Sequence, residues 1–209
     1  MAIGSVVRSL CGPYERPVSE AYRSIYVDLD ALAECIQHWR RHATRILEIG
    51  CGEGAMTERL ARIYPDAEIV AIDITSRIGR LYHGTAGNVS FLRTTAQEVA
   101  AMRHAEFDLV VLADVVHHVP PDHRRELFAA AKAALAENGA FVFKDWGRAC
   151  SPIHALCYAS DRWITGDQIH YMTASEMREM MAEVFGQGAV VAEARIKPWR
   201  NNIAFHVCV

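Results

Sequence analysis

Three glycines that end an apolar segment are the residues in this chain most suggestive of chemistry. The sequence LEIGCGEGA at 47–55 overlaps an apolar run, Arg45 to Ile49, that predicts a buried strand, and a helical pattern follows it. Gly50, Gly52 and Gly54 carry no Cβ, so the backbone of such a turn can come very close to a ligand. The sequence therefore predicts that a nucleotide-like small molecule binds at the carboxyl end of the first strand.

The residues around the glycines decide between two kinds of nucleotide site. Gly50, Gly52 and Ala55 satisfy the dinucleotide pattern G-x-G-x-x-G/A, and Asp73 follows after about 20 residues, as that pattern requires. Glu48 favours another assignment, because dinucleotide-binding enzymes rarely carry an acid two residues before the first glycine. Hydrophobic-Glu-x-Gly-x-Gly-x-Gly resembles motif I of the class I S-adenosylmethionine-dependent methyltransferases. An NAD-dependent oxidoreductase and a glycine-rich turn without a ligand are the alternatives.

The resemblance covers roughly residues 44–146 plus a closing hairpin, and it implies a site for S-adenosyl-L-methionine. Asp73 ends the second predicted strand, where a carboxylate can accept two hydrogen bonds from a ribose diol; the alternative is a helix cap. In the family the next residue, here Ile74, packs on the adenine. The implied cofactor-binding residues are Glu48, Gly50, Cys51, Gly52, Gly54, Asp73, Ile74, Thr95, Ala96, Gln97, Ala113 and Asp114.

Thr95 departs from the family pattern. The family often has an acid-Ala pair after the third strand, with the acid on the adenine amino group, whereas this chain has Thr95-Ala96. A hydroxyl accepts that hydrogen bond more weakly than a carboxylate does. A plain threonine cap of a short helix is the alternative.

Two adjacent histidines follow the fourth predicted strand, in LADVVHHVPP at 112–121. Ligands in open α/β sheets lie beyond the carboxyl ends of the strands, so His117 and His118 are at the correct edge to act as a base near neutral pH. Since neighbouring side chains of an extended segment point apart, only one of them is expected to face the acceptor. The resemblance favours His118 as the catalytic base, with His117 as its packing neighbour. Two solvated loop residues are the alternative, and no metal is predicted, because the spacing fits no standard zinc signature.

The acceptor is expected beside residues 147–172, a segment that shows no clean period after the fifth strand. Long aperiodic segments are often lids or binding loops, and the aromatic content here argues against disorder. The alternative is a segment that only packs. Tyr22 and Tyr26, one turn apart on an N-terminal helix, are placed either over the ligand or in the core. The candidate substrate-binding residues are Tyr22, Tyr26, Asp145, Trp146, His154, Arg162 and Tyr171.

The elements that would position these residues alternate between strands and helices. Strands are predicted at about 44–50, 68–73, 89–94, 107–114 and 140–144, and a helix from about Asp122 to Ala136 stops at Asn138-Gly139. Apolar β-branched runs between helices indicate a parallel sheet covered on both faces. A capping box at Thr173-x-x-Glu176 starts a further helix, and 190–196 and 203–209 form an antiparallel pair.

The fold class predicted is therefore α/β: a doubly wound, mostly parallel seven-stranded sheet with an antiparallel C-terminal hairpin and an N-terminal helical lid. One domain, 1–209, is expected. It divides into a lid helix at 18–41 capped by Ser19, a cofactor-binding core at 44–146, an acceptor-side insertion at 147–172, and a closing helix and hairpin at 173–209. The lid helix would bury a stripe formed by Ile25, Leu29, Leu32, Ile36 and Trp39.

The bulk composition limits the partners. The formal net charge is −3, which gives no basic field for nucleic acid, and 51% of the residues are hydrophobic. No apolar run is long enough to span a bilayer. The six cysteines are scattered without a C-x-x-C pair, and in the absence of a signal-peptide pattern they suggest a cytoplasmic protein. The sequence does not indicate an oligomeric state.

The function predicted is methyl transfer from S-adenosylmethionine to a small-molecule acceptor, with oxygen favoured over nitrogen. An NAD-dependent oxidoreductase is one alternative, supported by Gly50, Gly52, Ala55 and Asp73. A non-catalytic S-adenosylmethionine-binding protein is the other, which would leave the histidine pair unexplained.

Overall fold

A seven-stranded sheet forms the centre of the molecule in a computed structural model that describes residues 12–84, 87–160, 162 and 169–208. The strands are β1 (Arg45–Ile49), β2 (Glu68–Asp73), β3 (Val89–Arg93), β4 (Phe107–Ala113), β5 (Leu135–Trp146), β6 (Val190–Arg195) and β7 (Asn202–Cys208). Their order across the sheet is β3-β2-β1-β4-β5-β7-β6. The first five run parallel, and β7 pairs antiparallel with both β5 and β6. The predicted fold class is confirmed.

Two apolar layers cover the sheet because its central strands are buried on both faces. On β5, Phe141 and Phe143 belong to one core cluster, whereas Val142 belongs to the other. This alternation follows from the two-residue period of a strand. The helices are α1 (Glu15–Tyr26), α2 (Leu29–Trp39), α3 (Ala55–Ile63), α4 (Ala96–Met102), α5 (Pro121–Ala134), α6 (Pro152–Ser160) and α7 (Ala174–Phe185). The first cluster includes residues of α4, α5 and α7, and the second includes residues of α2 and α3.

The N-terminal helical segment is two helices, which corrects the single helix predicted at 18–41. α1 ends at Tyr26, Val27 is extended, and Asp28 caps α2 by accepting a hydrogen bond from the Ala31 amide at 2.9 Å. The break interrupts the helical spacing between Ile25 and Leu29. Ile25, predicted to lie in the same buried stripe as Leu29, is therefore half exposed at 50%. Ser19, predicted as the cap, lies buried within α1.

Two other boundaries differ from the sequence prediction. The helix before β5 ends at Ala134, and β5 already begins at Leu135, so Asn138 and Gly139 lie inside the strand. Asn138 has a φ of +61°, so the Asn-Gly pair marks an irregular, left-handed position within β5 and not the end of a helix. The segment predicted as aperiodic at 147–172 contains the helix α6; Asp161 and Trp163 of that segment lie outside the described residues.

The closing elements agree with the sequence. Thr173 and Glu176 form the predicted capping box at the start of α7. β6 and β7 form the predicted antiparallel pair. No helix among the described residues has the length and apolarity needed to cross a bilayer.

Candidate active site

The glycine loop after β1 lies where the strand order of the sheet reverses. β1 has β2 on one side and β4 on the other, so the chain leaves the sheet in opposite directions from β1 and β4, and a crevice opens between them. Gly50, Gly52 and Gly54 have φ values of +75°, +53° and +95°, which other residues adopt only with strain. The local reason for the three glycines is therefore the left-handed backbone of the loop.

The glycines differ in what surrounds them. A Cβ on Gly50 would lie 2.2 Å from a methyl of Val115, so Gly50 allows the loop to pack on the segment after β4. A Cβ on Gly52 would meet no heavy atom within 4 Å. Packing therefore explains Gly50, whereas the open space beside Gly52 is available to a ligand.

Asp73 holds the glycine loop from the end of β2. Its carboxylate accepts hydrogen bonds from the amides of Gly52 at 2.8 Å and Thr75 at 2.9 Å. No helix begins in the segment just after β2, so the helix-cap alternative for Asp73 is wrong, although the side chain does cap a turn. Ile74 projects beside it with 72% of its surface exposed. An exposed isoleucine next to an anchored carboxylate suits the predicted contacts with adenine and ribose.

Glu48 is buried on β1 below the loop, with 3% of its surface exposed. Its Oε2 has no hydrogen-bond partner among the described residues. Burial raises the pKa of Glu48 to about 7, an effect that the Thr57 hydroxyl opposes and the negative charge of Asp73 reinforces. Cys51, in the loop, is buried as well, and burial raises its thiol pKa.

Thr95 is the N-cap of α4. Its hydroxyl accepts a hydrogen bond from the Glu98 amide at 3.2 Å, and Glu98 completes a capping box with the Thr95 amide at 2.9 Å. The cap proposed as the alternative is therefore present, and a contact of Thr95 with adenine stays a prediction. Ala96 is buried, and Gln97 is exposed.

A cavity of about 350 Å³ lies at the carboxyl ends of β4 and β5. Six residues predicted from sequence to bind substrate or catalyse line it, as does Asp114, which was predicted to bind cofactor. Those seven residues are Tyr22, Tyr26, Asp114, His117, His118, Trp146 and Tyr171. The other lining residues are Ser19, Arg23, Val27, Lys144, Cys157 and Asn202. The cavity has aromatic walls, because Tyr26 packs edge to face against Tyr22 at 5.5 Å and against Trp146 at 6.2 Å.

Both histidines line this cavity, which corrects the expectation that only one side chain would point there. They lie on a 3₁₀ turn, Val116–His118, and not on an extended strand exit. The two rings are 4.1 Å apart between centroids. His117 is buried at 7% exposure, whereas His118 is exposed.

His117 and Asp145 form a dyad. Nδ1 of His117 lies 2.5 Å from Oδ1 of Asp145, and the His117 amide donates to Oδ2 at 3.0 Å. Burial opposes the ionisation of Asp145, but the charge and hydrogen bond of His117, with Lys144, hold the pKa of Asp145 below its usual value. When His117 is neutral, its Nδ1–H donates a hydrogen bond to the ionised carboxylate, and Nε2 then carries the lone pair of the imidazole. Tyr171 stacks on the ring at 5.1 Å.

Three residues predicted to bind substrate lie elsewhere. Asp145 is 2% exposed, and its oxygens accept hydrogen bonds from His117 and the Trp146 amide, so it positions its neighbours and does not line the cavity. His154 lies on the wall of a second cavity, of about 570 Å³, and accepts a hydrogen bond from Trp146 Nε1 at 3.0 Å. Burial, and to a lesser extent Arg148, lowers the pKa of His154. Arg162 is exposed and lines neither cavity.

Lys144 is the main residue of the site that sequence reasoning missed. It is 1% exposed on β5, and its Nζ lies 2.5 Å from Oδ1 of Asp114. A lysine inside the apolar strand sequence AFVFKDW was the available signal, because lysine is almost never fully buried unless it is paired. Within the described chain, no three His, Cys, Asp or Glu residues are grouped so that they could hold a metal ion.

Comparison with known proteins agrees with this geometry. A methyltransferase-domain family model matches residues 46–139. Over 104 residues the chain is 36% identical to the ubiquinone biosynthesis O-methyltransferase of Hahella chejuensis, a match that covers 47% of this chain and 41% of that protein. Over 105 residues it is 32% identical to the malonyl-(acyl-carrier protein) O-methyltransferase of Geobacter sulfurreducens, covering 49% and 39%. In this stretch the chain therefore resembles a methyltransferase domain. It spans less than half the length of these two relatives.

Solved methyltransferase structures share the fold at low sequence identity. The Burkholderia thailandensis 1,6-didemethyltoxoflavin-N1-methyltransferase, solved with its substrate and S-adenosylhomocysteine, matches with a TM-score of 0.69 and 16% identity. That match covers 98% of this chain and 87% of the other. An O-methyltransferase family protein from the same organism matches with a TM-score of 0.71 and 14% identity, covering 96% and 59%.

The residues around the glycine loop fit S-adenosylmethionine, the cofactor that the resemblance to methyltransferases implies. The space beside Gly52 is open because glycine has no Cβ, and this absence allows a ligand to approach the backbone closely. Asp73 and Ile74 border the same loop, and Glu48 below it has an unpartnered oxygen. The alternative of a glycine turn without a ligand does not account for these features.

Proposed function

We propose that this chain transfers the methyl group of S-adenosylmethionine to the oxygen of a small-molecule acceptor held in the 350 Å³ cavity. The observation that carries the proposal is the His117–Asp145 dyad, which lies at the carboxyl edge of the sheet beside the glycine loop. When bound, the cofactor supplies an electrophilic methyl carbon. The protein supplies orientation, exclusion of water and a base.

His117 is the base in this proposal, although the sequence favoured His118. Asp145 fixes the ring of His117 so that Nε2 accepts the proton of an acceptor hydroxyl, and it stabilises the imidazolium that results. His118 is exposed, whereas His117 is buried against the Asp145 carboxylate. A positioned base favours oxygen over nitrogen as the acceptor atom, because an alcohol or phenol must lose its proton on methylation, whereas a neutral amine can attack the methyl carbon first and lose a proton afterwards.

The cavity limits the acceptor to a small, flat molecule. Tyr22, Tyr26, Trp146 and Tyr171 give it aromatic walls, and Asp114, Lys144 and the histidines are among its polar lining groups. A pocket with apolar walls and a few convergent polar groups is typical of a small-molecule site.

Calorimetric titration with S-adenosylhomocysteine and with NAD tests the cofactor. We expect binding of the first and none of the second; binding of NAD alone would restore the oxidoreductase hypothesis. Transfer of label from radiolabelled S-adenosylmethionine to a panel of phenols and aromatic amines then tests the acceptor atom.

Three single variants test the base. His117→Ala should lower phenol turnover by roughly 10²–10⁴-fold without changing affinity for S-adenosylhomocysteine. Asp145→Asn should lower it less, and wild-type turnover should fall at acidic pH as the imidazole protonates. His123→Ala is the matched control, since His123 is exposed on α5. A large loss in His118→Ala with none in His117→Ala would show that the sequence-based assignment was correct. If neither variant loses turnover, positioning alone accounts for catalysis.

A further inference from the structure

Asp114 lies between the predicted cofactor loop and the acceptor cavity. It follows β4 directly, and it lines the cavity together with His117. The next residue, Val115, packs where a Cβ of Gly50 would otherwise lie, at 2.2 Å. Asp114 is therefore next to the glycine loop on one side and next to the candidate base on the other. In the proposed reaction the methyl group moves from the cofactor at the glycine loop to the acceptor in the cavity, and so passes Asp114.

The conformation of Asp114 is strained and held by Lys144. Its φ is +57°, in the left-handed region that residues other than glycine adopt at a cost. Its amide donates to the Lys144 carbonyl at 2.9 Å, and its carboxylate accepts from Lys144 Nζ at 2.5 Å. Strained residues that their surroundings hold in place are concentrated at functional sites.

The two members of the Lys144–Asp114 ion pair differ in their exposure to solvent. The side chain of Lys144 is 1% exposed, whereas that of Asp114 is 35% exposed. The ammonium is therefore the buried member of the pair, and the carboxylate is the member that solvent reaches. A buried ammonium needs a nearby carboxylate, so the pairing with Lys144 holds the Asp114 side chain at this edge of the cavity. Among the described residues that line this cavity, Asp114 is the only carboxylate.

We propose that the Asp114 carboxylate, held by Lys144, recognises the positive charge of the methyl donor and makes the site prefer S-adenosylmethionine to S-adenosylhomocysteine. The two ligands share the ribose, the adenine and the amino-acid tail and differ in the sulfonium, which becomes a neutral thioether when the methyl leaves. An anion at this boundary therefore favours the donor and releases the product. This inference rests on the proposed function.

Calorimetric measurement of the Kd values of the two ligands tests the role of Asp114 without any turnover. Asp114→Asn removes the charge and keeps a residue that tolerates a positive φ. The ratio of the Kd of S-adenosylhomocysteine to that of S-adenosylmethionine should fall roughly tenfold in this variant, as expected for losing one partly screened charge contact. Since Asp114→Asn leaves Lys144 buried without an anion, the double variant Asp114→Asn/Lys144→Met removes both charges, and the ratio should fall similarly.

Asp73→Asn is the matched control. This variant also removes a carboxylate from the cofactor site, but Asp73 is predicted to contact the ribose diol, which both ligands share. Both affinities should weaken with their ratio unchanged. A ratio within twofold of wild type in both Asp114 variants, with S-adenosylhomocysteine still bound, would overturn the role of Asp114 and leave the proposed function intact. Failure of the wild-type chain to bind either ligand would instead refute the proposed function.

Discussion

Glu48 should make the stability of the protein depend on pH in a direction opposite to that of most carboxylates. Its pKa is raised from 4.5 to about 7 by burial, so the folded state binds its proton more tightly than the unfolded state does. Glu48 therefore costs no stability below about pH 4.5, and its cost grows as the pH rises through 7. The difference in pKa corresponds to about 3 kcal/mol of unfolding free energy at pH 8.

Glu48→Gln isolates this effect, because glutamine has nearly the same shape and does not titrate. We expect the variant to be close to wild type in stability at pH 5 and more stable by about 3 kcal/mol at pH 8. Urea unfolding at half-unit steps from pH 5 to 8 measures the difference, in which the titrations of all other groups cancel. Glu34→Gln, at an exposed glutamate on α2, is the control and should show a difference that does not change with pH.

A constant difference between Glu48→Gln and wild type from pH 5 to 8 would refute the reasoning. It would mean that Glu48 is ionised throughout this range and has a partner that stabilises the anion. A variant that is less stable at pH 8 than at pH 5, relative to wild type, would show that the carboxylate stabilises the fold as an anion.

Three further perturbations test other parts of the structure. Gly52→Ala should weaken S-adenosylhomocysteine binding at least tenfold by calorimetry, because its Cβ enters the open space of the loop. Gly188→Ala, with a similarly positive φ of +82° and open surroundings, should cost stability without affecting binding. Thr173→Ala removes a capping box and should lower the unfolding free energy by about 1 kcal/mol in urea, with affinity unchanged. Amide exchange in residues 152–160 should slow when an acceptor binds; no change there would place the acceptor outside this side of the cavity.

The order of the elements and the cofactor loop were predictable from local sequence. A parallel strand buried on both faces is a continuous apolar run, and β2 was predicted with its observed bounds, Glu68–Asp73. Glycine is the residue that adopts a left-handed backbone with least strain, so the loop after β1 was visible in its three glycines alone. The boundaries that were missed, at Val27–Asp28 and Ala134–Leu135, lie where two elements join without a glycine or proline to mark the change.

The chemistry of the acceptor side depended on contacts between residues far apart in the chain. His117 and His118 are adjacent and identical in type, and only the position of Asp145, 28 residues further on, distinguishes them. Lys144 and Asp114 likewise meet only because β4 and β5 are neighbours in the sheet. The sequence by itself determined the fold class, the glycine loop and the edge of the sheet where ligands bind, since these follow from local patterns of apolar residues and glycines. Only the tertiary structure decided which histidine is oriented by a carboxylate and which carboxylate pairs with a buried lysine, because hydrogen bonds and ion pairs depend on distances that local sequence does not specify.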